Sequence, residues 1–476
     1  MPLSGSRGAG ALTPALTAAA GPTRIGRMAT MIRRSDQLLA REDAALADVM
    51  KIRFYPFSAA SARGVRMTDA DGREYLDMTG SGGVAQTGYG HPTVREALVA
   101  AVDGQHTAML CCHSHGPATD LAEQLCALLP GDFAKKAWFG TSGSDANDCI
   151  ARLLPLATGR RRLVSFVGGY HGTTSGSAAL SGHQAQASVI GGGNVTKVPY
   201  PDPYRCLHGP CSREGCSLKC LEHVERYALG AISPAADTAA IIVEAVQSDG
   251  GEVVPPANFL PALREVCDRH GIWLVFDEVK IGLGRTGKMF AFQHSGVVAD
   301  AVTLGKPLGG GLPLSAVVGR RELLDVETFS LFTLGGAPMP IAGGLATLAV
   351  IESEGLVANA AAMGRRLLDG LEEIAARSTL IGDVRGSGLI LGVELVRDRA
   401  TREPAPADAH RLVYRLFELG VLAIYSGLHG NVIELTPPLI IGAAEVDEFL
   451  TAFERALADV EAGRFDDAKL APYAGW

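Results

Sequence analysis

No apolar run in this chain approaches the roughly 20 residues that a membrane-spanning helix needs, so no membrane partner is expected. Positive charge is short as well. With 43 Lys and Arg against 51 Asp and Glu, the net charge is −8, and such a surface has nothing to draw a nucleic acid. Charged residues make up only 20% of the chain and apolar ones 47%, which excludes a disordered polyelectrolyte and predicts a soluble, globular protein. Internal repeats are absent too. A secretory leader is not evident: residues 1–35 are rich in Ala, Gly, Ser, Thr and Pro with scattered Arg, but lack a continuous Leu- or Val-rich stretch. That segment reads as a disordered arm, with Met28 and Met31 as alternative starts, or else as a transit peptide.

Cysteine is neither scarce nor paired. An odd count of nine predicts reduced thiols and a cytoplasmic location. Four of the nine crowd one run, Cys206, Cys211, Cys216 and Cys220, beside His208 and His223. Tetrahedral zinc usually takes two ligand pairs held apart by a structured spacer, and this run has none. The expectation is therefore free thiols in a loop and no metal site, with a structural metal or a local disulfide as the other readings.

What the chain does have is alternation. Short apolar runs, Leu163–Val167, Ala240–Val243, Trp273–Phe276 and Ala301–Leu304, read as buried strands. Amphipathic stretches such as Thr119–Leu129 and Asn258–His270 read as helices between them. This order predicts an α/β fold whose mostly parallel sheet is covered on both faces, with ligands at the carboxyl ends of its strands. Past residue 340 the texture changes to a helix over Gly343–Ile351, another over Ala358–Arg377, and strands around Leu389–Leu395 and Val432–Leu435. The expected partition is an arm over 1–35, part of a small α+β domain over 36–100, a large domain over 101–340, and the rest of the small domain over 341–476.

Chemistry clusters at the predicted strand ends. Lys306 lies in Thr303-Leu304-Gly305-Lys306-Pro307-Leu308-Gly309-Gly310-Gly311, between a strand and a glycine-rich turn. A lysine there can form a Schiff base with an aldehyde. Asp277 ends the run Trp273-Leu274-Val275-Phe276-Asp277, where a carboxylate can keep a pyridine nitrogen protonated. The pair describes a pyridoxal phosphate site. Gly140-Thr141-Ser142-Gly143-Ser144-Asp145-Ala146-Asn147 opens a helix, where converging amides suit a phosphate, although Ser142 or Ser144 could equally be an ordinary helix cap. In Gly168-Gly169-Tyr170-His171-Gly172, Tyr170 can lie over a flat ring or simply pack a loop. Glu244, Gln247, Ser248 and Asp249 follow another strand, and Lys280 follows Asp277-Glu278-Val279 at the same rim. A lysine and a carboxylate meeting there can exchange protons or form a structural ion pair.

Together these strings resemble the class III aminotransferases, pyridoxal phosphate enzymes of fold type I, over roughly residues 50 to 460. Other carriers of the resemblance are Asp71-Gly72-Arg73-Glu74-Tyr75-Leu76-Asp77, Gly90-His91-Pro92, Gly284-Arg285-Thr286-Gly287 and Val384-Arg385-Gly386. The resemblance implies that Lys306 carries the cofactor and Asp277 pairs with its ring nitrogen. It also implies that Val279 and Tyr170 sandwich the ring, with His171 beside them, and that Ser142, Gly143 and Ser144 hold the phosphate. Glu244 and Arg385 are the implied substrate contacts. Thr333 matches a threonine that reaches the phosphate from a neighbouring subunit, which implies a homodimer.

Within the class, the chain is most similar to α-amino-ε-caprolactam racemase and related amino-acid racemases. Gln247-Ser248-Asp249-Gly250-Gly251, Asp277-Glu278-Val279-Lys280, Tyr200-Pro201-Asp202-Pro203-Tyr204-Arg205, Gly430-Asn431-Val432-Ile433-Glu434 and the terminal Ala474-Gly475-Trp476 carry that similarity. It departs where Gly82 stands in place of a tryptophan, where Ala245 and Ala337 replace a proline and an asparagine, and in the cysteine run. Transamination needs one mobile base, Lys306. Racemisation needs a second group on the opposite face of Cα, and Asp249, assisted by Lys280 or Tyr170, supplies one. The expected activity is racemisation or epimerisation of an amino acid or amino-acid amide, with transamination to a 2-oxo acid as the alternative.

Overall fold

The computed structural model describes residues 33–104, 108–187, 193–209 and 211–473. The predicted arm before residue 33, the two alternative start methionines and Ala474-Gly475-Trp476 lie outside the described residues.

A seven-stranded sheet forms the frame: β1 (Lys135–Gly140), β2 (Arg162–Phe166), β3 (Val195–Val198), β4 (Thr238–Val243), β5 (Trp273–Asp277), β6 (Ala301–Leu304) and β7 (Ser315–Arg320). The spatial order is β1-β7-β6-β5-β4-β2-β3. Strands β3, β2, β4, β5 and β6 pair in parallel, and β7 runs antiparallel to both β6 and β1. Every residue of β4 and β6 is buried, because helices cover both faces; that is why these strands read as continuous apolar runs without alternation. The register sets Phe276 beside Val243 and Asp277 beside Thr303. The loops that follow β2, β4, β5 and β6 therefore leave the sheet at one edge, carrying Tyr170, Glu244, Lys280 and Lys306 respectively.

Helix α1 (Gly143–Thr158) starts at the same edge. Ser142 caps it: its hydroxyl accepts from the Asp145 N–H at 3.2 Å, and the Asp145 carboxylate accepts from the Ser142 N–H at 3.1 Å.

The two ends of the chain meet in smaller sheets. Ala59–Arg63, Arg66–Asp69 and Glu74–Asp77 form a meander, which Val421–Leu422 joins in parallel beside Leu76 and Asp77. Ile381–Ser387, Ile390–Asp398, Val432–Leu435 and Ile424–Ser426 form an antiparallel sheet, to which Glu403–Pro404 adds a fifth strand. The C-terminal helices run over Pro338–Ser353 and Leu356–Arg377, longer than the sequence pattern suggests. They bend by 64° at Gly355, whose φ of +62° suits glycine. No single described helix is long and apolar enough to cross a membrane.

Candidate active site

The strand-end loops enclose a cavity of about 130 Å³ lined by Gly143, Ser144, Asn147, Tyr170, His171, Glu244, Ser248, Asp249, Asp277, Val279, Lys280 and Lys306. Eleven of the residues singled out in the sequence are among them. They arrive from five separate loops because each closes a strand or opens a helix at the same sheet edge.

At one end, Asp277 is 4% exposed and its Oδ2 accepts from Asn147 Nδ2 and meets His171 Nδ1, both at 2.7 Å. Its Oδ1 accepts from the Val279 N–H at 3.0 Å. Burial disfavours the His171 imidazolium, but the hydrogen bond and charge of Asp277 outweigh it and hold the ring above its ordinary value. The first turn of α1 faces the same space, with Gly143 and Ser144 on the wall. A Cβ at Gly143 would come within 2.6 Å of Val279 Cγ1, so only glycine lets the helix start approach that closely. Ser142 itself is exposed and caps the helix rather than lining the cavity.

Lys306 is half-buried and follows an extended Gly305. Its φ of +38° is strained for a lysine, by roughly 1 kcal/mol, and such strain tends to gather at functional positions. Burial, and next the positive charge of Lys280, push its amine below the usual lysine value, which favours the neutral, nucleophilic form.

At the far end, Lys280 Nζ bridges Asp249 Oδ1 at 2.9 Å and Glu434 Oε1 at 2.7 Å. All three side chains are nearly buried. Burial opposes the Asp249 charge, yet Lys280 and then Lys306 bring it down to about 2. Burial likewise opposes the Lys280 ammonium, and Asp249 and Glu434 together raise it. Behind them lies Glu252, fully buried, with the Ser426 hydroxyl donating to its Oε2 at 3.1 Å. Burial and the neighbouring Glu434, to which it is hydrogen bonded, push Glu252 far above the carboxylate range, so it holds its proton. Glu244 accepts from the Tyr170 N–H and the Ser248 N–H, both at 3.2 Å, and burial raises it to about 7. Burial also raises the Tyr170 phenol, with the Asp249 charge adding to it.

Besides Ser142, two expected site residues lie elsewhere. Arg385, expected against substrate, does not line the cavity. Its guanidinium pairs with Glu394 at 2.6 Å and Asp383 at 3.0 Å, and donates to the Gly251 carbonyl at 2.8 Å. Two acidic neighbours within reach explain that orientation, and its effect on the site passes through the Ser248–Glu252 turn. Thr333 sits in an exposed turn, outside the cavity of its own chain. Conversely, Asn147, Glu252 and Glu434 have site positions that the sequence did not assign. Glu434 carried a signal: a charged residue inside the buried strand Val432–Leu435 requires a partner. Asn147 stands one helical turn after Gly143, on the face that looks into the cavity.

The donor set fits pyridoxal phosphate. Lys306 offers an amine for the aldehyde, Asp277 a buried carboxylate for the ring nitrogen, and the start of α1 free amides for the phosphate. Asn147 Oδ1 is buried at this wall with no hydrogen-bond partner.

The sequence profile described as aminotransferase class-III matches residues 50–457. Leucine/methionine racemase of Thermococcus litoralis is 37% identical over 448 residues, covering 93% of this chain and 100% of its own. 5-Aminovalerate aminotransferase of Pseudomonas aeruginosa is 36% identical over 432 residues, covering 88% and 97%. Among solved structures, an amine transaminase from an uncultivated Pseudomonas species with pyridoxal phosphate bound superposes with a TM-score of 0.79. It is 32% identical, with 85% of this chain and 95% of that one covered.

Proposed function

The chain belongs to the class III aminotransferases, pyridoxal phosphate enzymes of fold type I, and from that premise we propose that it inverts the Cα of an amino acid or amino-acid amide. The observation that carries the reading is the Lys280 ammonium shared between Asp249 and Glu434 at the cavity wall. A relative named as a racemase supports the same reading, and a relative named as an aminotransferase keeps transamination as the second one.

Pyridoxal phosphate, when bound, supplies a sink for the electron pair left as a proton leaves Cα. Asp277 would hold the ring nitrogen protonated, fixed in place by Asn147 and His171. Gly143 and Ser144 would hold the phosphate through their amides, and Val279 and Tyr170 would flank the ring. Lys306 takes and returns the Cα proton on its own face, its lowered pKa leaving the amine more readily in the neutral form that can accept one.

Inversion needs a second proton group. Asp249 alone, at about 2, is a weak base, and protonating it would strand a bare ammonium on Lys280. Glu434 removes that obstacle: Lys280 keeps one carboxylate partner whichever state Asp249 is in. Glu252, held protonated behind Glu434, completes a chain Glu252–Glu434–Lys280–Asp249 along which a proton can move to and from the cavity. A purely structural ion pair would need neither the second carboxylate nor a place on this wall.

The native enzyme is proposed to be a cytoplasmic homodimer with shared sites and a small amino substrate, away from membranes. Thr333 lies within an exposed apolar run, Phe329 at 88%, Leu331 at 52%, Phe332 at 37% and Leu334 at 55% exposure, which suits burial against a second copy. All nine cysteines are unbridged, as a reducing compartment favours.

The test is proton NMR of a panel of L-amino acids and their amides in deuterated water, with chirality followed in parallel. Loss of the Cα proton signal with inversion, and without added oxo acid, is the expected result. Turnover that depends on pyruvate or 2-oxoglutarate would establish the aminotransferase reading instead.

A further inference from the structure

Between β3 and the helix at Lys219–His223 the chain runs through a loop of about twenty residues without a strand or long helix of its own, which is unusual in a compact fold unless something fastens it. The loop is bent back on itself by contacts that do not involve its cysteine side chains. Arg213 Nη2 donates to Asp383 Oδ1 at 2.6 Å and to the Val384 carbonyl at 2.9 Å, and its own carbonyl accepts from the Ala257 N–H at 2.8 Å. Asn258 clasps Cys216, accepting from its N–H at 3.2 Å and donating to its carbonyl at 2.9 Å.

These contacts bring together side chains that sequence spacing alone leaves scattered. The sulfurs of Cys206, Cys211 and Cys216 all lie within 4.8 Å of one another. Cys220, 6% exposed, joins them and His208 in lining one small cavity of about 30 Å³, together with Pro199, Tyr200, Pro201 and Asp202. That is room for a single ion or water. Thiolates around tetrahedral zinc stand about 3.8 Å apart, given a Zn–S distance of about 2.3 Å, so closing the trio onto a metal needs only a small contraction. A disulfide would join two of the three sulfurs and leave the third facing it, and none is present.

We propose that Cys206, Cys211 and Cys216 bind a zinc ion, with Cys220 as the fourth ligand, in a closed structural site. Three or four thiolates select a soft or borderline cation over magnesium or calcium, and a fully thiolate shell leaves no open position for catalysis. The absence of a spacer, which argued against a metal from sequence, is overcome by the fold: Asn258 and Arg213 supply from outside the loop the turn that a structured spacer would supply from within.

The site has a mechanical link to the active site. Arg205, adjacent to Cys206, pairs with Glu394 at 2.5 Å, and Glu394 pairs with Arg385 at 2.6 Å. Arg385 in turn holds the Gly251 carbonyl, two residues from Asp249. A loosened loop reaches the proton apparatus only indirectly, through such intermediaries, so loss of the metal should lower thermal stability more than turnover.

Elemental analysis of the holoenzyme, expressed with zinc and purified in reductant without chelator, is expected to find about one zinc ion per protomer. Mercurial titration of the thiols should release it. Cys211→Ser and Cys216→Ser should lose the zinc and lower Tm while retaining bound cofactor, whereas Cys126→Ser, outside the cluster, should keep it. Cobalt replacing the zinc should give the red-region d–d bands of a tetrahedral thiolate site, clear of the cofactor's absorption. The wild-type measurement needs no variant to fold. A reduced wild-type holoenzyme that contains no zinc and takes up neither zinc nor cobalt would overturn the proposal, as would serine variants that keep the full zinc content.

Discussion

Asp277 and Asp249 line one cavity, and both are nearly buried, but they are held by different means. Asp277 rests on Asn147, on His171 and on a backbone amide, all fixed by α1 and the strand ends of the large sheet. Asp249 rests on the Lys280 ammonium, which Glu434 of the C-terminal sheet shares and which Glu252 backs with a retained proton. The first arrangement fixes one charge where a ring nitrogen can use it. The second is a group of ionisable side chains in which a proton can change places without stranding a charge. The cofactor end is static by construction and the reaction end is exchangeable, and the tests below act on one end or the other.

The largest effect should come from the residue that serves both ends. Lys306→Ala is expected to abolish turnover, checked by steady-state assay and by borohydride reduction of the wild type. A pyridoxyl group found on a different lysine would contradict the assignment. Next comes the static end. Asp277→Asn should leave the fold intact and lower activity roughly 10³-fold or more, because the ring nitrogen loses its anionic partner. Circular dichroism and kcat together distinguish this from misfolding, and near-normal turnover would mean that another group does the work.

A smaller effect is expected at the rim. Thr333→Ala should weaken cofactor affinity about tenfold, the worth of one hydrogen bond to a charged phosphate. Equilibrium dialysis measures the affinity and sedimentation the oligomeric state. A fully active monomer would contradict the shared site.

The mildest change is a pH slope. Glu244 titrates at about 7 in the fold against 4.5 when unfolded, so the native state keeps a proton that the unfolded state releases. Its contribution is full below about pH 4.5 and is lost as pH rises towards 7, by ~3 kcal/mol at most. Glu244→Gln should flatten the stability curve over that range, as read from urea unfolding of the apoenzyme. Glu278, raised by burial to about 8, should preserve the decline above it. An unchanged slope in the variant would show that Glu244 is ionised throughout.

The static end was legible in the sequence because each of its parts is local. A strand followed by Asp277, a turn around Lys306 and a helix opening at Ser142 are patterns within a dozen residues, and the parallel order of the strands brings their ends together. The exchangeable end was half legible. Asp249 and Lys280 stood out at strand ends, whereas Glu252 and Glu434 meet only because a strand more than 180 residues later folds beside the first turn. That Arg385 stands off the cavity was not legible for a related reason: its acidic partners Asp383 and Glu394 face it only once Ile381–Ser387 and Ile390–Asp398 pair. The cysteine run is free of disulfides as expected, but its gathering into one cluster was not legible, because Asn258 and Arg213 shape it through contacts that its own spacing does not contain.

The central claim is that Asp249 and Lys280 move a proton on the face of Cα that Lys306 does not serve. It is tested most directly by comparing inversion with deuterium exchange in Asp249→Asn and Lys280→Gln. Both rates come from one sample of an accepted L-substrate in deuterated water, by proton NMR and chiral chromatography. Lys306 alone should still exchange the proton with retention, so the account predicts inversion lowered by about 10²-fold or more in Asp249→Asn, with exchange largely kept, and a weaker loss in Lys280→Gln. Inversion at the wild-type rate in both variants would contradict it, reduce the pair to a structural ion pair, and leave transamination as the better reading of the site.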